Sequence, residues 1–232
     1  MTTDKKIFVL PGWAYETKKW DEFIGMLRKD GFNPILLSIP GLTEKIEKPW
    51  NIDDYVNWLS SKLKNESQVF LIGHSNGGRI ALSYILSNPK KISKLVLLDS
   101  AGIYHNEVPI RLKRTLFKYL AKLGKSVTKS DTLKNLMYKF ARESDYNQAP
   151  EIMKKTMQNL ISHDLTQNLQ KIRTNTLILW GHDDKVTPLS DGKMMEKNLP
   201  NSRLEIVKDA RHSPQFSHTE NVVKIIDEFF KK

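Results

Sequence analysis

The sequence predicts an α/β fold, a mostly parallel sheet of about six strands flanked by helices, with a helical insertion ahead of the last two strands. Short apolar runs and helical stretches alternate along nearly the whole chain, as in sheets covered by helices. A Gly-x-Ser-x-Gly turn joins one apolar run directly to a helix. The 232 residues suffice for a single domain with a well-buried core, and no internal repeat or low-complexity tract interrupts them.

Taken in order, Ile7-Phe8-Val9-Leu10 and Pro34-Ile35-Leu36-Leu37 read as the first strands, with helices near Trp20 to Asp30 and Ile52 to Lys64. Val69-Phe70-Leu71-Ile72 reads as the third strand. It runs into Gly73-His74-Ser75-Asn76-Gly77-Gly78 and then the helical run Ile80 to Leu86. Lys94 to Leu98 forms the fourth strand and ends at Asp99. Thr176 to Trp180 is a buried fifth strand that opens into Gly181-His182-Asp183-Asp184-Lys185-Val186-Thr187-Pro188, a loop rich in turn residues. Leu204 to Val207 is the sixth strand, followed by Asp209-Ala210-Arg211-His212-Ser213-Pro214 and an amphipathic terminal helix, Val222 to Phe230.

The chemistry concentrates at three of these joints. A strand, a tight glycine-flanked serine turn and a helix make a nucleophile elbow, which presents the serine hydroxyl above the sheet. Gly73 and Gly77 suit it, because strand and helix backbones approach too closely for side chains there. The plain alternative is a glycine-rich loop carrying a solvated serine. Serine is a weak nucleophile unless a base takes its proton, so a histidine and an orienting carboxylate must follow. Asp184 lies on the loop after the fifth strand and His212 on the loop after the sixth, giving the chain order serine, acid, histidine. Asp183 and Asp99 are rival acids, and Asp209 reads as a turn residue. His74 belongs to the elbow, where packing or hydrogen bonding under the turn is its expected part; His182 and His218 read as loop and surface residues, and His105 and His163 fall in or beside the insertion. None of the histidines is spaced for metal binding, so no metal is expected.

These residues resemble the α/β-hydrolase family over nearly the whole chain. The resemblance implies Ser75 as nucleophile, Asp184 as acid and His212 as base. It also makes Leu10-Pro11-Gly12-Trp13 the oxyanion loop, so that the amides of Trp13 and Asn76 would receive the oxyanion and the Trp13 side chain would line the acyl pocket. Within the family, Gly12-Trp13 and the stretch Trp180 to Pro188 are similar to small carboxylesterases such as the pimeloyl-acyl-carrier-protein methyl ester esterases. The chain departs from the family pattern in having Pro11-Gly12 where His-Gly is usual, and Arg211 where glycine usually precedes the base. The small antiparallel strands that often open this fold are missing from the pattern. Dehalogenation is disfavoured, since those relatives carry a carboxylate where Ser75 stands.

The insertion is expected over about 102–168. There Leu112, Leu116, Leu120 and Leu123, then Leu133, Leu136, Met137 and Phe140, then Met153, Met157 and Leu160 recur at helical spacing, the pattern of a helical cap over the site. Between Arg111 and Lys155 twelve Lys or Arg stand against four acids, a net +8 of the chain's +11. Such a stretch suits anionic substrates or an acidic carrier protein, or is simply a solvated lysine-rich face. No nucleic-acid motif accompanies the charge. The chain contains no cysteine, which excludes disulfides and thiol chemistry. No signal-like or membrane-length apolar run is seen, and a cytoplasmic protein is expected. A serine hydrolase acting on small ester substrates without a cofactor is the leading expectation, with thioester or carbon–carbon cleavage within reach of the same residues. A carrier-dependent esterase and a ligand-binding protein of the same fold stand as alternatives, and the oligomeric state is open.

Overall fold

The computed structural model describes residues 6–13, 17–104 and 150–231. Its sheet has six strands, β1 (Lys6–Leu10), β2 (Asn33–Leu36), β3 (Val69–His74), β4 (Ile92–Leu98), β5 (Asn175–Gly181) and β6 (Ser202–Val207), in the spatial order β2-β1-β3-β4-β5-β6. Every pairing is parallel. The helices are α1 (Asp21–Lys29), α2 (Ile52–Lys62), α3 (Asn76–Ser87), α4 (Glu151–Ser162), α5 (Leu189–Asn198), α6 (Pro214–Ser217) and α7 (Thr219–Lys231).

Both faces of the sheet are covered, which is why its strands are apolar runs rather than alternating ones. Successive residues point to opposite sides. Leu71, Leu95, Leu97, Ile178 and Trp180 join the layer that holds Tyr55, Leu59, Ile80 and Leu160. Phe70, Ile72, Val96, Leu98, Leu177 and Leu179 join the layer of Phe23, Leu27, Val222, Ile226 and Phe230. Near the amino end of the interior strand β4, Lys94 Nζ donates to the Phe229 and Phe230 carbonyls at 2.9 and 3.1 Å, anchoring the carboxyl end of α7.

The strand order locates the cleft. From β1 the chain steps out to β2, returns to β3 on the other side, and then proceeds steadily to β6. The reversal leaves a crevice outside the carboxyl ends of β1 and β3, where open α/β sheets hold ligands. Pro11-Gly12-Trp13 and His74-Ser75 end those two strands.

The expected strands are all present, with β3 running on through Gly73 to His74 and β4 starting at Ile92. Leu37 falls just outside β2, yet its amide still donates to the Val9 carbonyl at 2.9 Å. Of the expected insertion, residues 105–149 lie outside the described residues, and with them the stripes beginning at Leu112 and Leu133 and the residue His105. The third stripe is α4, which buries Met153 and Leu160. That helix is fastened to the α/β body. The Trp50 amide donates to Thr156 Oγ1 at 3.1 Å, Asn159 Nδ2 donates to the Trp50 carbonyl at 3.0 Å, and the buried Arg79 guanidinium donates to the Leu160 carbonyl in the last turn of α4. Among the described residues no helix is long and apolar enough to cross a membrane.

Candidate active site

Ser75 sits between β3 and α3 with φ 52° and ψ −121°, a backbone conformation that non-glycine residues rarely adopt. Strain of this kind costs about 1–3 kcal/mol and persists only where the surroundings fix it. Here the Ser75 amide donates to the Leu98 carbonyl at 3.1 Å, and the Ser75 carbonyl accepts from the amides of Gly78 at 3.0 Å and Ala101 at 2.9 Å. Close approach explains the flanking glycines. A Cβ on Gly73 would stand 2.6 Å from the Gly78 Cα, and one on Gly77 would run into the Leu10 and Pro11 carbonyls. Although a serine at a helix N-cap ordinarily accepts from the helix amides, the Ser75 side chain makes no such bond and its hydroxyl is left for other work.

Gly12 brings the loop after β1 against the elbow, since a Cβ there would lie 2.8 Å from Ser75 Cβ and 3.2 Å from His74 Nδ1. Trp13 follows it, half-buried against the core layer that includes α2 and α3. Asn76 opens α3. Its Nδ2 donates to Met157 Sδ of α4 at 3.4 Å, while its buried Oδ1 has no hydrogen-bond partner.

The loops after β5 and β6 bring together residues 28 positions apart. His212 Nδ1 lies 2.7 Å from Asp184 Oδ2, and both side chains are buried. Asp184 also accepts from Thr187 Oγ1 at 2.7 Å and from the amides of Val186 at 2.7 Å and Thr187 at 3.2 Å. Burial pushes the Asp184 carboxyl up, but the hydrogen bond and charge of His212 and the donors from Val186 and Thr187 outweigh it and hold the group below the usual carboxylate range. An imidazole whose Nδ1–H is fixed on a carboxylate presents Nε2 as a proton acceptor. The His212 ring lies 5.0 Å from that of His74, the residue immediately before Ser75.

The rival acids differ sharply. Asp183 is exposed and lies 2.9 Å from His182 Nδ1 on the outside of the same loop. Asp99 is fully buried at the end of β4, where Oδ1 accepts the Gly181 amide at 2.8 Å. Asp209 is exposed with a positive φ of 58°, as befits a turn, and the Arg211 side chain is exposed. His74 packs edge-on against Trp20, with ring centroids 5.9 Å apart. Thr187 is the residue that sequence reasoning passed over. Its hydroxyl stands 2.7 Å from Asp184 Oδ2, 3.2 Å from His212 Nδ1 and 3.1 Å from the Asp99 carbonyl, tying three loops together. A threonine three residues beyond the acid was the available signal, but many loops share it.

Among the described residues, His74, Asp99 and His212 form the one group with three candidate metal-ligating atoms within 4.8 Å of one another. It suits a metal poorly, because His212 Nδ1 is already engaged by Asp184 and burial pushes the Asp99 carboxyl up to about 8, so it keeps its proton at neutral pH.

An all-parallel sheet, a strained serine elbow at its switch point and a buried aspartate–histidine pair define an α/β hydrolase. The family model described as alpha/beta hydrolase fold matches residues 6–219, and the chain belongs to this family. It is 26% identical over 232 residues to the pimeloyl-[acyl-carrier protein] methyl ester esterase of Legionella pneumophila (strain Corby), with 95% of this chain and 92% of that protein covered. It is 24% identical over 254 residues to the 2-hydroxy-6-oxononadienedioate/2-hydroxy-6-oxononatrienedioate hydrolase of Burkholderia vietnamiensis (strain G4 / LMG 22486), covering 95% and 83%. The meta-cleavage product hydrolase of Pseudomonas fluorescens IP01 shares the fold at a TM-score of 0.72 and 19% identity, covering 98% and 90%.

Proposed function

We propose that this α/β hydrolase cleaves carboxylic ester bonds through an acyl-enzyme, with Ser75 as nucleophile, His212 as general base and Asp184 as the carboxylate that orients it. The hydrogen bond between His212 and Asp184, set beside the strained Ser75 elbow, carries the reading. In acylation, Ser75 Oγ attacks the ester carbonyl carbon while His212 Nε2 takes the hydroxyl proton. The tetrahedral oxyanion accepts hydrogen bonds from the Trp13 and Asn76 amides. Collapse breaks the bond to the alkoxy oxygen, which leaves as the alcohol with the proton from His212. A water then repeats the sequence on the acyl-enzyme and releases the acid. Each oxyanion donor is worth about 3–4 kcal/mol in the transition state. The route takes no cofactor and no metal.

The insertion, about 102–168, forms the cap of this single domain in our reading, with Trp13 lining the acyl pocket. Its +8 stretch supports a second reading, an anionic or carrier-bound ester, because a positive field around an entrance concentrates such substrates. The esterase similarity in Legionella pneumophila points the same way. The cytoplasm is the compartment we assign, in keeping with a chain that has no cysteine.

A panel of p-nitrophenyl esters from acetate to long acyl chains, given to the native protein and to Ser75→Ala, tests the proposal. Turnover that disappears in the variant supports it. A native protein that turns over none of them favours the ligand-binding alternative.

A further inference from the structure

Asp99 ends β4 with a positive φ of 40°, a strained setting for a residue with a side chain. It is fully buried, and only part of its carboxyl is used. Oδ1 accepts the Gly181 amide at 2.8 Å, whereas Oδ2 is buried without a hydrogen-bond partner. The carboxyl shares a 4.8 Å neighbourhood with ring nitrogens of His74 and His212. Thr187 Oγ1, 3.1 Å from the Asp99 carbonyl and 2.7 Å from Asp184 Oδ2, spans both aspartates. Anchoring the Gly181 amide needs one neutral acceptor, which an asparagine would supply without burying an ionisable group. The unused oxygen beside two imidazoles is therefore unexplained by structure alone.

We propose that Asp99 is a positioning residue that acts through His212, its carboxyl, once ionised, stabilising the imidazolium that proton abstraction creates. The inference rests on the reading of His212 as the base. The titratable groups around Asp99 are His74 at the end of β3, Asp184 on the loop after β5 and His212 on the loop after β6. Among the described residues no lysine or arginine bonds its carboxyl. Burial pushes Asp99 up to about 8, the Gly181 amide opposes this, the negative charge of Asp184 adds to it, and the nearby Ser213 amide, whose hydrogen bond goes to the Arg211 carbonyl at 2.8 Å, opposes it only through its dipole. Asp99 is accordingly neutral at pH 7. Above about pH 8 it places a second negative charge beside His212.

Asp99→Asn isolates this effect, since asparagine keeps an acceptor for Gly181 and tolerates the left-handed backbone. The profile of kcat/KM against pH for a p-nitrophenyl ester is the first readout. The native enzyme should gain several-fold as pH rises through about 8, and Asp99→Asn should lack that gain. The ring resonances of His212, followed by NMR in the folded native protein, should report the ionisation of Asp99 as an inflection near pH 8 that is absent from the variant. Superimposable pH profiles, or native His212 resonances without an inflection near pH 8, would overturn the proposal. The native NMR titration decides the matter even if the variant does not fold. Failure of the serine-hydrolase reading is separately visible as a lack of Ser75-dependent turnover.

Discussion

Asp184 and Asp99 are both buried carboxyls near one histidine, and their surroundings drive them in opposite directions. Asp184 collects donors from His212, Thr187 and Val186, and its carboxyl is held below the 3.8 of a free aspartate. A depressed carboxyl contributes stability above the unfolded value that disappears as pH falls through the folded one. Asp184→Asn should therefore remove part of the loss of thermal midpoint that the native protein shows below about pH 4, as measured by melts across pH. The same substitution should lower kcat by about 10⁴-fold, the loss expected when a triad carboxylate becomes neutral, while Asp183→Asn should stay within a few-fold. For Asp99 the sign reverses. The folded protein keeps its proton up to about 8 while the unfolded chain releases it near 3.8, so stability falls as pH rises between those values. Asp99→Asn should accordingly melt higher than the native protein at pH 8. The serine, the histidine and the Asp184 position were legible in the sequence because each follows an apolar strand. The contribution of Thr187 was not, since its hydroxyl gains meaning only when Asp99, 88 positions earlier, is folded against it.

The joint of β3, the elbow and α3 is where sequence and geometry constrain each other most tightly. Gly77→Ala places a methyl group against the Leu10 and Pro11 carbonyls, which are backbone and cannot swing aside. It should cost about 3 kcal/mol or more in denaturant unfolding. That tightness is what made the elbow readable. By contrast, α5 was not singled out: of its residues only Asp191, Gly192 and Met195 are buried, so no apolar stripe marks it. At the contact of α3 with α4, Asn76 Oδ1 is buried without a partner and Nδ2 reaches only a thioether. Asn76→Leu should raise the thermal midpoint, because replacing a poorly satisfied buried amide with an apolar group of similar size removes an unmet desolvation cost. Its effect on kcat should be small beside that of Ser75→Ala, since the proposed oxyanion donor at this position is the backbone amide.

Across the whole molecule, parallel pairing brings the carboxyl ends of β1, β3, β4, β5 and β6 to one side of the sheet, and every proposed site residue lies there. The parallel sheet was legible because strand and helix signals alternate, whereas the neighbour order needed the folded chain, since parallel pairing leaves no local turn signature. The +8 stretch between Arg111 and Lys155 gives the entrance reading a clear consequence. If it draws anionic esters in, kcat/KM for a carboxylate-bearing ester should fall with added salt more steeply than for a neutral ester of equal length. All of these proposed roles depend on Ser75 being a nucleophile activated by His212. The most direct measurement is the mass of the intact protein after treatment with a fluorophosphonate, with the site mapped by peptide sequencing and His212→Ala run alongside. One adduct is expected, on Ser75, formed far more slowly in His212→Ala; an unmodified native protein, or labelling that ignores the histidine, would rule out this nucleophile.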